Sequence, residues 1–242
     1  MELDDLLLGA SAFLNLLERH TMAIATINPA TGETEAEFAA HTDAEIEAKI
    51  QQSHDAFAAM KATSFAQRGA WMNAAADLLE AEVETAARML TTEMGKTIVQ
   101  ARGEVLKSAK NLRFYAEKAE EFMTGRELPA AAVGASRAYT TYEPIGAILA
   151  VMPWNYPLWQ VIRFAAPALM AGNTVLLKHA SNVPQSALYL ESIFLRGGFP
   201  AGSFNTLLIG AAKVEGVLRD RRVVAATLTG SEPAGRSVAA IA

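Results

Sequence analysis

Cysteine is absent from all 242 residues. That excludes disulfides, thiolate-bound metal and any thiol chemistry supplied from within this stretch. Histidine is scarce: His20, His41, His54 and His179 stand apart, without a pair at metal-ligand spacing. They are expected at the surface, and no metal site is expected. Positive charge is short as well. A net charge of −5 and a pI near 5.5, without a basic patch interleaved with aromatics, argue against a nucleic-acid surface. No apolar run is long enough to span a bilayer, so neither nucleic acid nor membrane is an expected partner. The leucine-rich start carries Glu2, Asp4 and Asp5 where a signal peptide would be positive. Residues 1–23 therefore read as an N-terminal extension, either a surface-docked helix or an upstream translated segment, and the expected location is cytoplasmic. The glycine fingerprint G-x-G-x-x-G of many dinucleotide sites is missing too.

What is present is an apolar content of 51% arranged in two regimes. In the first, Asn28-Pro29-Ala30-Thr31-Gly32 marks a turn between two extended pieces. Thr42-Asp43-Ala44-Glu45 and Ser64-Phe65-Ala66-Gln67 have capping-box form ahead of helices. A shorter helix from Val83 stops at Gly95, and another runs from Thr97 to Phe122. The glutamates and lysines of these helices are expected on solvated faces, with no catalytic constellation among them. Arg137 to Glu143 alternates, is rich in Tyr and Thr, and predicts a strand.

From Gly146 the rhythm becomes βαβ. Ile148–Met152 reads as a strand, Leu158–Met170 as a helix, Thr174–His179 as a strand and Pro184–Arg196 as a helix. Asn205–Ile209, Ala212–Arg219, Val223–Leu228 and Glu232–Ala242 continue the alternation. Successive crossovers of this kind build one doubly wound parallel sheet. The predicted fold is thus α/β: a helical N-terminal layer followed by a Rossmann-like sheet. Ligands of such sheets bind at the carboxyl ends of the strands, where three tips fall: Pro153-Trp154-Asn155, Lys178-His179-Ala180-Ser181 and Thr229-Gly230-Ser231.

A strand ending in Pro-Trp-Asn-Tyr-Pro, then Leu-Leu-Lys-x-Ala-Ser, then Thr-Gly-Ser, resembles the aldehyde dehydrogenase superfamily. The likeness is strongest to bacterial NADP-dependent succinate semialdehyde dehydrogenases and runs from about Ile24 to the end. It implies that residues 24–242 are an NAD(P)-binding domain, with a strand near 137–143 belonging to an oligomerisation domain of a homo-oligomer. It also implies oxidation of a small-molecule aldehyde.

In that reading Pro153, Trp154, Asn155, Lys178, His179, Ala180, Ser181, Gly230 and Ser231 contact the cofactor. Gly230 and Ser231, opening a helix, would lie at the phosphates; an ordinary capped turn is the alternative. Many NAD-using relatives carry Glu where Ser181 stands. A carboxylate there would repel a 2′-phosphate by about 4 kcal/mol per charge pair at an effective dielectric of ~20. A neutral Ser181 beside Lys178 and a titratable His179 therefore favours NADP over NAD, unless Ser181 merely caps the helix from Pro184. Asn155 is the catalytic candidate: its amide would donate to the oxyanion, a contribution of a few kcal/mol, the alternative being an Asn that satisfies its own loop. Arg163, a lone cation in an apolar segment, matches the arginine that binds the distal carboxylate of the substrate; an internal salt bridge is the alternative. The family's thiol and base glutamate do not occur here, neither Glu191 nor Glu232 standing at the matching place. The resemblance thus implies a chain truncated before the catalytic domain and inactive alone. A non-catalytic nucleotide-binding or subunit-associating module is the competing reading, as is a dehydrogenase of another aldehyde.

Overall fold

The computed structural model describes residues 24–242; residues 1–23, expected to be an N-terminal extension, lie outside them. Strands β1 (Ile24–Ile27) and β2 (Thr34–Phe38) form an antiparallel hairpin around the Asn28–Gly32 turn. Four helices follow: α1 (Asp43–Ala62), α2 (Phe65–Ala81), α3 (Val83–Met94) and α4 (Ile98–Phe122). The Thr42–Glu45 capping box closes in both directions, and Ser64 accepts from the Gln67 amide at 3.1 Å. Each exchange satisfies first-turn donors that a helix cannot pair internally. Gly95 ends α3 at φ 77°, a left-handed conformation that favours glycine, and turns the chain toward Lys96.

The second half is the sheet. Strands β5 (Ala147–Val151), β6 (Thr174–Lys178), β7 (Phe204–Thr206) and β8 (Val223–Leu228) are parallel, in the order β7-β6-β5-β8. Helix α5 (Trp159–Met170) links β5 to β6, and α6 (Pro184–Arg196) links β6 to β7. A 3-10 turn (Ala211–Lys213) and α7 (Val214–Leu218) lead to β8, after which α8 (Glu232–Ile241) begins. Alternate strand residues enter two cores. Ile148, Ala150, Val175 and Leu177 pack with α2–α6, whereas Leu149 and Leu176 pack with Ile46, Ile50, Val214 and Val217 of α1 and α7. With both faces covered, β5 and β6 are apolar at nearly every position, as a buried parallel sheet requires. Among the described residues no helix is long and apolar enough to cross a membrane.

Three expectations need correction. The strand over 137–143 shrinks to β4 (Ala138–Tyr139), paired antiparallel with β3 (Glu127–Leu128). Tyr139 and Tyr142 are both exposed, so no buried face extends the pairing, and Pro144 offers no amide for it. The strand over 205–209 shifts to Phe204–Thr206 because its partner β6 lends only Val175–Leu177. Leu207 and Ile209 still reach the core, beyond the ladder. The helix over 212–219 is shorter, its first turn being 3-10.

Candidate functional site

Strand order places the site. From β5 the chain moves outward through β6 to β7 and then returns to the opposite side of β5 with β8, so the direction of winding reverses between β5 and β8. In register, Val151 neighbours both Lys178 and Leu228. The ladder continues with Met152 N–H donating to Lys178 O at 3.0 Å and Thr229 N–H to Val151 O at 3.0 Å. The loops carrying Pro153–Asn155, His179–Ser181 and Thr229–Ser231 consequently leave from one edge.

At the β6 tip, Lys178 is half-buried. Desolvation alone pushes its ammonium below the usual lysine range, with no carboxylate among the described residues to offset it. Ser181 is held by the hairpin, its carbonyl accepting from Ala25 N–H at 3.1 Å. Its hydroxyl does not cap α6, whose first turn has no capping side chain from its own segment. His179 departs from expectation: it is buried, not at the surface. Its Nδ1 accepts from Ala180 N–H and its Nε2 donates to Pro157 O, both at 2.9 Å. Burial holds the imidazole at a pKa of about 4. It is a neutral staple between the β5 and β6 loops rather than a titratable neighbour of a phosphate.

At the β5 tip, Asn155 and Trp154 are exposed. Among the described residues nothing hydrogen-bonds the Asn155 amide, whereas its backbone carbonyl accepts from Lys96 Nζ at 3.0 Å. Among the described residues, Arg163 does not form the internal salt bridge offered as its alternative role. It lies on the exposed side of α5 and donates to Thr229 Oγ1 at 3.2 Å. The guanidinium thus bridges the β5 and β8 loops. At the β8 tip, Ser231 caps α8 through a 3.4 Å contact from Ala234 N–H. Pro233 removes one first-turn donor, and Glu232 pairs with Arg236 at 2.8 Å, which tempers a negative charge at the helix start. Gly230 has an ordinary φ, and a Cβ there would meet only Leu228 Cδ2 at 3.6 Å. No contact among the described residues requires glycine at that position.

The helical layer contributes more than expected. Lys96 and Glu104 are buried and paired with each other. The second Glu104 oxygen accepts from Leu158 N–H at 2.9 Å and Trp159 N–H at 3.0 Å, and Lys96 Nζ lies 3.6 Å from the Tyr156 ring centroid. Glu93, 2% exposed, accepts from Gln185 N–H at 2.6 Å, Ser186 N–H at 3.0 Å, Ser186 Oγ at 2.6 Å and Thr26 Oγ1 at 3.0 Å. Helices α5 and α6 have no cap of their own; a glutamate from the other layer caps each. Sequence offered one signal for Lys96, its place directly after the Gly95 stop, and none for the two glutamates.

An exposed amide on the β5 loop and a lysine on the β6 tip with no carboxylate partner among the described residues thus stand at one switch-point edge. The aldehyde dehydrogenase family model covers residues 17–242, and the chain belongs to that family. It is 63% identical over 221 residues to succinate-semialdehyde dehydrogenase [NADP(+)] 1 of Mycobacterium tuberculosis, a match covering 91% of this chain and 48% of that protein. The counterpart from Mycobacterium avium is 60% identical, with 91% and 47% covered. The solved structure of succinic semialdehyde dehydrogenase from Streptococcus pyogenes in complex with NADP+ superposes with a TM-score of 0.86 at 35% identity, over 90% of this chain and 47% of that one. The chain spans about half the length of the curated relatives it matches.

Proposed function

We propose that residues 24–242 form the NADP-binding part of a succinate-semialdehyde dehydrogenase that works in the cytoplasm as a homo-oligomer. The exposed β3–β4 hairpin, with Leu128 and Tyr139 open to solvent, is read as part of its oligomerisation arm. The observation that carries the cofactor reading is Lys178: a half-buried ammonium with no carboxylate partner among the described residues, beside a neutral Ser181. That pair suits the 2′-phosphate of NADP, which supplies both a charge for the lysine and an acceptor for the hydroxyl. Gly230 and Ser231 suit the pyrophosphate, since the protein itself does not require a bare backbone there. Pro153, Trp154, Asn155 and Ala180 would line the nicotinamide and ribose side, and His179 would shape the loop from behind. The bound cofactor accepts a hydride from the substrate.

Asn155 is read as the oxyanion donor. Its amide is exposed and without a partner among the described residues, on a loop stiffened by Pro153 and Pro157, so it can meet a developing negative charge without breaking a bond seen there. Arg163, exposed and one helix turn beyond Trp159, would take the distal carboxylate of the aldehyde. The thiol this reaction needs is not among these 242 residues. Glu191 is engaged by Lys49 and the Thr206 amide, and Glu232 by Arg236, so neither is free as the base.

Titration of the chain with NADP and NAD tests the reading, with NADP expected to bind more tightly. Ser181→Glu would add about 4 kcal/mol of repulsion at an effective dielectric of ~20. NADP affinity should then fall by about a thousandfold, since ~1.4 kcal/mol is tenfold, while NAD affinity changes little. Equal loss for both cofactors would refute the assignment.

A further inference from the structure

The Lys96–Glu104 pair is buried, spans two layers and ends on the loop of Asn155, yet it lies outside the cofactor and substrate contacts proposed above. We infer that Lys96 is a positioning residue for the Asn155 amide. The inference rests on the reading of Asn155 as oxyanion donor. The carbonyl of Asn155 receives the ammonium of Lys96 at 3.0 Å, and that ammonium lies 3.6 Å from the ring centroid of the next residue, Tyr156. Glu104 neutralises Lys96 with one oxygen and holds the Leu158 and Trp159 amides with the other. A four-residue span, Asn155 to Leu158, is thereby fastened at both ends to side chains of one cluster. The side chains of Lys96 and Glu104 are 6% and 1% exposed, so water does not compete for these bonds. The free amide of Asn155 inherits its position from the peptide group behind it. A loop fixed at its carbonyl and at the following helix start holds the Asn155 backbone in place, so the amide moves only through its own two side-chain torsions. Preorganised donors of this kind act without reorganising during the reaction.

Lys96 differs from a catalytic residue in that its effect passes entirely through Asn155, and this gives a decisive test. The chain is joined to the C-terminal portion of the Mycobacterium tuberculosis relative, and rates are expressed per titrated thiol. The variant is Lys96→Met combined with Glu104→Gln, which removes both charges together and leaves an oxygen to accept from Leu158 and Trp159. kcat should fall by about 10- to 100-fold, the range expected when a reacting group is displaced by about 1 Å. KM for NADP should stay within about twofold, because the loops of Ser181 and Gly230 are untouched. Adding Asn155→Ala to that variant should cost nothing beyond Asn155→Ala alone, since two groups that act as a unit are not additive. Multiplicative losses, or an unchanged kcat in the Lys96 variant, would overturn the inference while leaving the oxyanion role intact. An unchanged kcat in Asn155→Ala itself would instead defeat the oxyanion role, and the inference with it. Amide exchange on the 242-residue chain reads the same contact without catalysis. Exchange should accelerate at least tenfold over residues 154–159 and little elsewhere; equal acceleration along α4 and α5 would count against positioning.

Discussion

Replacing Glu93 with Ala tests how firmly the helical layer holds the cofactor edge. Glu93 is the external cap of α6, and its loss strands the backbone amides of Gln185 and Ser186 at a buried helix start. The two hydroxyls it also binds can rotate, and Thr26 Oγ1 still accepts from Gln185 Nε2 at 2.9 Å. Two orphaned amides at about 1–3 kcal/mol each set a range of roughly 2–6 kcal/mol. Relief works against this, because desolvation raises the pKa of Glu93 and its ionised form is costly to bury. A net loss of about 3 kcal/mol at neutral pH follows, or about 6–12 °C in Tm for a chain of this size. The pH dependence has a definite sign. A carboxyl whose folded pKa lies above its unfolded value contributes most below the unfolded pKa, and that contribution falls as pH rises through the folded pKa. Urea denaturation of wild type and Glu93→Ala should therefore show a larger gap near pH 4.5 than at pH 8. A loss under 0.5 kcal/mol (about the scatter of surface substitutions), or a gap that widens with pH, would refute the capping argument.

Two further outcomes concern the ligands. In the joined enzyme, Arg163→Leu should raise KM for succinate semialdehyde by an order of magnitude or more and leave KM for an uncharged aldehyde nearly unchanged; equal shifts would assign Arg163 to its Thr229 contact alone. Because burial lowers the pKa of Lys178, NADP affinity should weaken with rising pH earlier than for an ordinary lysine. NAD affinity should not follow, and Lys178→Met should flatten the NADP profile in isothermal titration.

How much of this was legible follows from the range of each interaction. The β5-α5-β6-α6 rhythm could be read because a parallel sheet buried on both faces writes apolar runs such as Ile148–Val151 and Val175–Leu177 directly into the chain. The three tips could be read because strand ends fall beside prolines, Lys178 and Gly230. The exposure of Arg163 could not be read because an apolar neighbourhood in sequence is not burial: on α5, Val161 and Ile162 turn inward while the next side chain turns out. His179 was misjudged for the converse reason, its partners being the carbonyl of Pro157, 22 residues away, and the amide of its immediate neighbour, Ala180. The capping glutamates were invisible. Local cap signals work over three residues, as at Thr42 and Ser64, whereas Glu104 acts 54 residues from Leu158 and Glu93 acts 92 from Gln185. A helix such as α5 or α6, which lacks its own Ser, Thr, Asp or Asn at the start, still has unpaired amides to satisfy. Where such a helix must begin in the interior beside a ligand cleft, its cap has to come from another layer. An uncapped, buried helix start is thus itself a sequence-level reason to search distant helices for a buried carboxylate.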